Sequence, residues 1–452
     1  MNVFARLAAE RASPAASDES KTPNRAVDAA RRRLLRAASA LPLGALPACA
    51  PLPRASSVRR LVVVGGGYGG ATAARYAALW GGSTVSVTLV ERDAAFVSCP
   101  LSNLVLGGSK TIDDITLPYR TLARHGVNVI HDTAIAIDVE RRRVRLARGP
   151  ELPYDRLVLS PGIDFFFDRV GGLGTDDARA HFPHAWRAGP QTVALRRQLE
   201  AMRDGGVFAI SIPRAPYRCP PGPYERACQV AWYFKRAKPR SKVLILDGNE
   251  DVQSKKALFM RAWAEDYAGI VEYRKDHVLT DVDMRSRTAR FETADDVKAD
   301  VLNIIPPHGA ADIARKAGVI TANNQWCEVD FLTFESTKVP AVHVIGDAIQ
   351  IAPLMPKSGH MANQHGKVVA AAVVAAFMEQ PVNASPIVNN TCYSYVNDRE
   401  AVHVASVHQY DPKQRTFLSV PGSGGLSVAK SVAEGDYGFA WARSIWRDML
   451  GA

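Results

Sequence analysis

Apolar and polar positions divide this chain into short apolar runs separated by longer segments of helical period, the alternation expected of an α/β protein. Leu61-Val62-Val63-Val64 is a continuous apolar run, suited to a strand buried on both faces of a parallel sheet. It passes directly into Gly65-Gly66-Gly67-Tyr68-Gly69-Gly70 and then into the helix-forming Ala71-Thr72-Ala73-Ala74-Arg75-Tyr76. A second run, Val85 to Val90, predicts the next strand and ends in Glu91. Tyr154 to Leu159, Val207 to Ile212, Lys242 to Leu246 and Val342 to Ile345 predict further strands, with another at Val402 to Val407. Gly359 to Phe377 reads as a helix.

Strand, glycine-rich turn, helix, strand and acid in this order make a dinucleotide site. Gly65 serves the tight turn, Gly67 lets the backbone approach a pyrophosphate, and Gly70 lets helix and strand pack closely. The helix N-terminus offers unpaired N–H groups to the phosphates. Glu91 stands where an acid accepts hydrogen bonds from the adenosine ribose. Two later segments choose between nucleotides. Tyr154 to Gly162 and Val342 to Ala348, the latter with Gly346-Asp347, resemble stretches of the glutathione-reductase-like flavoproteins. That resemblance implies FAD, with the Asp347 carboxylate on the ribityl chain.

The second apolar unit lacks the phosphate loop. After Val207 to Ile212 the chain reads Pro213-Arg214-Ala215-Pro216-Tyr217-Arg218-Cys219-Pro220-Pro221-Gly222-Pro223. Prolines fix φ and thicken a turn that must be thin for a pyrophosphate. The following strand still ends in an acid, Asp247. The expectation is a nucleotide-like scaffold that does not bind NAD(P)H, so the electron donor reduces the flavin directly.

Charge changes the picture only at the N-terminus. The chain of 452 residues carries a formal net charge of +11, and residues 1–57 hold nine Arg or Lys against four Asp or Glu. The remaining surplus is diffuse, with no basic stripe to suggest nucleic acid. Arg31-Arg32-Arg33-Leu34-Leu35-Arg36 before the apolar run Ala37 to Ala50 reads as a Tat-type export signal over residues 1–57. The run is shorter than the ~20 residues a membrane-spanning helix needs. A periplasmic location is expected.

Six cysteines occur: Cys49 in the export segment, then Cys99, Cys219, Cys228, Cys327 and Cys392. Five in an exported chain is an odd number, so at least one is unpaired or otherwise occupied. Any one of them read singly is a small buried hydrophobe, and Cys228 and Cys327 are expected to be that. No C-x-x-C-H motif occurs, which places any haem on a partner, and no metal cluster is indicated.

Four segments carry a closer resemblance: Cys99-Pro100-Leu101-Ser102-Asn103, Tyr217 to Ala227, Pro356-Lys357-Ser358-Gly359-His360-Met361-Ala362, and Asn390-Thr391-Cys392-Tyr393. With them the chain from about Arg59 to Leu450 resembles the flavoprotein subunit of flavocytochrome c sulfide dehydrogenase, a relative of sulfide:quinone oxidoreductases. The resemblance implies a thioether from Cys99 to the flavin and a redox-active Cys219–Cys392 disulfide beside it. It also implies a c-type cytochrome subunit as partner and a sulfide-type substrate. Lys357, ahead of the helix at Gly359, is expected to stabilise charge on the reduced flavin; His360 and His365 are left outside the site.

The expected fold is α/β, two Rossmann-like domains of glutathione-reductase type plus a C-terminal α+β domain covering the flavin. The FAD domain takes 58–172 and 314–384, the second Rossmann-like domain 173–313, and the C-terminal domain 385–452. Competing readings are a sulfide:quinone oxidoreductase, a non-enzymatic exported flavin carrier, and an NADH-dependent disulfide reductase.

Overall fold

The computed structural model describes residues 58–451, so the export segment with its twin arginine and Cys49 lies outside the described residues. Strand β1 (Arg59–Val64) opens the first sheet, and Leu61 to Val64 are buried as an all-apolar strand between two neighbours must be. Helix α1 (Tyr68–Gly81), β2 (Val85–Glu91), β3 (Val127–His131) and β4 (Arg156–Leu159) follow. The chain then builds a second parallel sheet. It comprises β5 (Val207–Ile212), α2 (Gly222–Ala237), β6 (Lys242–Asp247), α3 (Lys256–Asp266), β7 (Val271–Arg274) and β8 (Val301–Ile304). It returns to the first sheet with β9 (Val342–Val344) and helix α4 (Gly359–Phe377). The C-terminal part is antiparallel: β10 (Ile387–Tyr395), β11 (Ala401–Asp411), β12 (Thr416–Ser419) and the closing helix α5 (Val432–Leu450).

In the first sheet β1 lies between β2 and β4, parallel to both, with β3 outside β2 and β9 outside β4. Two short antiparallel strands extend the β9 edge. The second sheet runs β7-β6-β5-β8, all parallel. Both therefore place the C-terminal ends of their strands on one edge, where ligands of open α/β sheets bind.

The glycine turn is shaped by close approach. Gly65 has φ +96°, and a Cβ there would lie 2.3 Å from the Ser160 carbonyl oxygen at the end of β4. A Cβ on Gly70 would lie 1.8 Å from the Gly65 carbonyl oxygen, so α1 packs against its own strand only through glycine. Gly67, the N-cap of α1, has φ −68°, and a Cβ there would meet nothing within 4 Å. Its open side faces a cavity.

The second sheet ends differently. Asp247, at the end of β6, is fully buried and accepts hydrogen bonds from Tyr224 Oη at 2.7 Å and Tyr273 Oη at 3.2 Å. Tyr217 Oη lies 3.3 Å from Tyr224 Oη, and Asn249 also donates to Asp247. The acid that would face a second nucleotide is thus engaged by the chain's own side chains. The apolar residues of α5 divide between roles: Ile445 and Trp446 are core, Trp441 lines the site cavity, and Tyr437 is exposed. Among the described residues no helix is long and apolar enough to cross a membrane.

Candidate functional site

Two adjoining cavities follow the C-terminal edge of the first sheet. One, of about 370 Å³, is lined by Gly65, Glu91, Asp132 and Thr133. The other, of about 260 Å³, runs on to Cys99, Cys219 and Cys392. They share Gly67, Glu91, Ser160, Gly162, Arg187 and Arg218, so together they form one trough.

Of the residues singled out in the sequence, Gly67, Glu91, Cys99, Cys219, Gly346, Asp347, Lys357 and Cys392 line the cavity at the cysteine end. Gly65 lines the other end, while Gly70 lines neither and acts in packing. Glu91 accepts from the Gly66 N–H at 2.6 Å and the Asp93 N–H at 2.9 Å, which pins the acid beside the glycine turn. Residues separated by more than 290 positions are thereby gathered on one trough. Cys228 and Cys327 are fully buried elsewhere and pack as hydrophobes.

Each cysteine of the cavity is held by its own surroundings. Cys99 accepts from the Ala188 N–H at 3.5 Å. Cys219 adopts left-handed backbone, φ 54°, in a type of residue that rarely does so. Its N–H donates to the Lys357 carbonyl and its carbonyl accepts from Gly222 N–H, both at 2.9 Å. A Cβ on Gly222 would lie 2.9 Å from Cys219 Sγ and 2.7 Å from the Trp186 ring, so the start of α2 is cut to fit that sulfur. Cys392 comes from β10, the strand that covers the trough. Burial pushes both thiols up; the neighbouring Cys392 adds to this at Cys219, and Lys255 opposes it at Cys392. Both are free thiols in this structure, so the disulfide expected between them is not formed here.

Lys357 stands at the cavity, but its head group is committed. The ammonium donates to the carbonyls of Asp347, at 2.9 Å, and Ile349, and lies 3.6 Å from the centroid of the Trp326 ring. Burial lowers it to about 7, against the pull of Asp347 and Cys327. It is 4% exposed, not a solvated lysine, while Ser358 caps α4 by accepting from Met361 N–H at 3.0 Å.

Two guanidiniums of the cavity, Arg218 and Arg226, bear on the cysteines, and sequence reasoning singled out neither. The Arg218 guanidinium lies 3.7 Å from the Asp347 carboxylate. Burial alone would depress it, but Cys99 and Asp347 outweigh that and hold it protonated. His308 Nε2 accepts the Arg218 N–H at 3.0 Å, fixing the backbone. Glu225 was missed too. It is buried, accepts from Tyr395 N–H at 3.1 Å and Asn103 Nδ2 at 3.2 Å, and is pushed up by burial. Their adjacency to Cys219 in the chain was the available signal. His360, left outside the site, also lines the cavity, where its Nδ1 accepts from Thr391 N–H at 2.9 Å.

The trough fits an FAD. The glycine turn and the uncapped α1 N-terminus would take the pyrophosphate, Glu91 the ribose, and Asp347 the ribityl chain, which leaves the ring system at the cysteine end.

Comparison with known proteins agrees. Residues 192–306 match the family described as the central part of the sulfide dehydrogenase [flavocytochrome c] flavoprotein chain. Residues 384–450 match the flavin-binding part of flavocytochrome c sulphide dehydrogenase. The sulfide dehydrogenase [flavocytochrome c] flavoprotein chain of Chlorobaculum thiosulfatiphilum is 57% identical over 47 residues, 10% of this chain and 96% of that sequence. The chain belongs to this flavoprotein family.

Within the family's wider kinship, residues 59–184 match pyridine nucleotide-disulphide oxidoreductases. The mitochondrial sulfide:quinone oxidoreductase of Dictyostelium discoideum is 24% identical over 303 residues, 64% of this chain. The chain spans 65% of the length of that relative. The sulfide:quinone oxidoreductase structure from Aquifex aeolicus superposes with a TM-score of 0.68 at 18% identity, covering 87% of this chain and 92% of that one. The fold is thus the two-Rossmann α/β fold expected from the sequence.

Proposed function

We propose that this chain is an exported, periplasmic FAD-dependent sulfide dehydrogenase that oxidises sulfide through Cys219 and Cys392 and delivers electrons to a c-type cytochrome subunit. One observation carries the reading: cysteines from the proline-rich turn and from the C-terminal strand meet in a single cavity that also holds Cys99 and Arg218. A flavin carrier without catalysis would have no use for that pair.

Sulfide near neutral pH is largely HS⁻, and such anions open disulfides by in-line attack. In the oxidised pair HS⁻ attacks one sulfur, the S–S bond breaks, and a persulfide forms on one cysteine with a thiolate on the other. Over a turnover HS⁻ yields sulfane sulfur, a proton and two electrons. The dithiol is the two-electron-reduced form of the pair. FAD, when bound, supplies the two-electron acceptor, attached through Cys99. Arg218 stabilises anionic sulfur in the cavity, and Trp186 and β10 restrict water. The second sheet takes no part in nicotinamide binding, because prolines replace its phosphate loop and tyrosines close over Asp247.

The test is anaerobic mixing of the oxidised flavoprotein with sulfide and, separately, with NADH, following the oxidised flavin band. Sulfide should bleach it and NADH should not. Cys219→Ser and Cys392→Ser should each abolish bleaching by sulfide with FAD retained; turnover in either variant would overturn the mechanism. Likeness to the sulfide:quinone oxidoreductases supports quinone as a second candidate acceptor. Oxidation of the reduced protein by a soluble quinone analogue, with cytochrome c inert, would select it.

A further inference from the structure

Cys219 and Cys392 differ in their electrostatic surroundings. Cys219 follows Arg218 directly, whereas behind the main chain of Cys392 lies Lys255, which no motif marks out. Lys255 precedes α3 with left-handed backbone, φ 55°, and is 5% exposed. Its ammonium donates to the Cys392 carbonyl at 2.7 Å and to Ser394 Oγ at 2.8 Å. Both hydrogen bonds go to neutral oxygens, and the Glu225 carboxyl bears on the ammonium electrostatically without bonding it. A buried ammonium with no directly bonded anion is costly, and such groups gather where function needs the charge.

Two charged side chains bear on Cys392: Lys255, just ahead of α3, and Glu225 on α2. Burial disfavours the Cys392 thiolate, Lys255 favours it, and Glu225 opposes it. Glu225 is itself driven by burial toward its neutral form, which weakens its opposition. Cys219 shares the cavity, and Cys392, Glu225, Arg218 and Cys99 bear on it.

We propose that Lys255 is a positioning residue that fixes the Cys392 segment of β10 and favours the Cys392 thiolate whenever the pair is reduced. The proposal rests on the use of this pair in the proposed function. The ammonium ties the second sheet's helix α3 to the covering strand, so one side chain both places the sulfur and sets its charge. Burial still pushes the Cys392 thiol up, and Lys255 works against that push, so where the proton does leave Cys392 for solvent the ammonium stabilises the charge left on sulfur.

Reduced holoprotein, with Lys255→Met, Lys255→Arg and Ser394→Ala variants, would be treated anaerobically with iodoacetamide across a pH series. Alkylation at each cysteine would then be read by peptide mass spectrometry. In Lys255→Met the Cys392 rate at neutral pH should fall about tenfold and its midpoint rise by about one pH unit. Cys219 should change by less than about threefold. Lys255→Arg should restore most of the Cys392 rate, and Ser394→Ala, which keeps the cation, should hold the midpoint. An unchanged Cys392 profile in Lys255→Met overturns the proposal, and so does an equal loss at both cysteines, which would mean a merely structural role. Wild-type protein inert to sulfide would remove the proposed function and leave this titration standing as the test of Lys255.

Discussion

The glycine turn can be dissected by two substitutions that look alike and should behave oppositely. In Gly67→Ala the new methyl enters open space, since a Cβ there meets nothing within 4 Å and φ is −68°. The only intrinsic cost is that of alanine in place of glycine at an N-cap, at most about 1 kcal/mol. In Gly70→Ala the methyl would lie 1.8 Å from the Gly65 carbonyl oxygen and 3.1 Å from Ser160 Cβ. Alanine returns about 1 kcal/mol of helix propensity. Overpacking against two rigid backbones costs about 3 kcal/mol or more, because Gly65 is itself wedged against β4. The net loss should be at least about 2 kcal/mol. Urea unfolding in a Cys99→Ala background, stripped of flavin, measures the fold; FAD retained after gel filtration by the proteins with Cys99 intact measures the site. Gly67→Ala should stay within about 1 kcal/mol of wild type in unfolding yet lose FAD, because its methyl fills the space a pyrophosphate would take. Gly70→Ala should lose both stability and FAD. Full FAD retention by Gly67→Ala would refute the placement of the nucleotide, and wild-type stability of Gly70→Ala would refute the packing argument.

Other outcomes follow from the same geometry. Arg218→Met should slow bleaching by sulfide at least about tenfold in stopped-flow absorbance, since it removes a cation beside Cys99 and Cys219. Tyr224→Phe takes one of four donors from buried Asp247 and should cost about 1–3 kcal/mol in urea unfolding without conferring reduction by NADH. Burial lowers His184 and His308 to about 3, below their unfolded value of 6.5. The unfolded state therefore binds protons first, and their contribution, fully present above pH 6.5, is lost as pH falls toward 3. Glu225 and Asp247, pushed up by burial, act in the opposite sense. His360 and His343, lowered to about 4, join the histidines, so urea midpoints should drop steadily from pH 6.5 to 4.5; a flat profile would contradict the burial of these rings.

What the sequence made legible was whatever a local pattern encodes. Leu61 to Val64, the glycine turn and Glu91 lie within one continuous βαβ stretch, and they appear as expected in β1, α1 and β2. Helix α4 runs from Gly359 to Phe377 as its periodicity suggests. The three cavity cysteines were legible through their motifs. Arg218, Glu225 and Lys255 were not, because a charged residue beside a loop reads as solvated until the fold buries it. Lys357 shows the reverse: its motif marked the residue, but only the fold reveals Trp326 and two carbonyls claiming its ammonium. Chain order cannot say which partner a long, flexible cation will reach.

The balance of charge around the sulfurs explains why these residues are grouped. Arg218 lies beside Cys99 and Cys219, and Lys255 behind Cys392, while the carboxyl that faces both members of the pair is Glu225. Burial pushes Glu225 toward protonation, whereas Arg218 stays charged. The field at the cysteine pair is therefore cationic in a site that excludes much of the solvent, where such a field is strongest. Neutral thiols gain little from it. Under the proposed mechanism, an incoming HS⁻ and the thiolate released from an opened disulfide would gain most, so the arrangement would lower the energy of both ends of that reaction. A site meant only to hold a flavin, or to receive hydride from a nicotinamide, would have no reason to concentrate buried positive charge on two sulfurs drawn from distant parts of the chain.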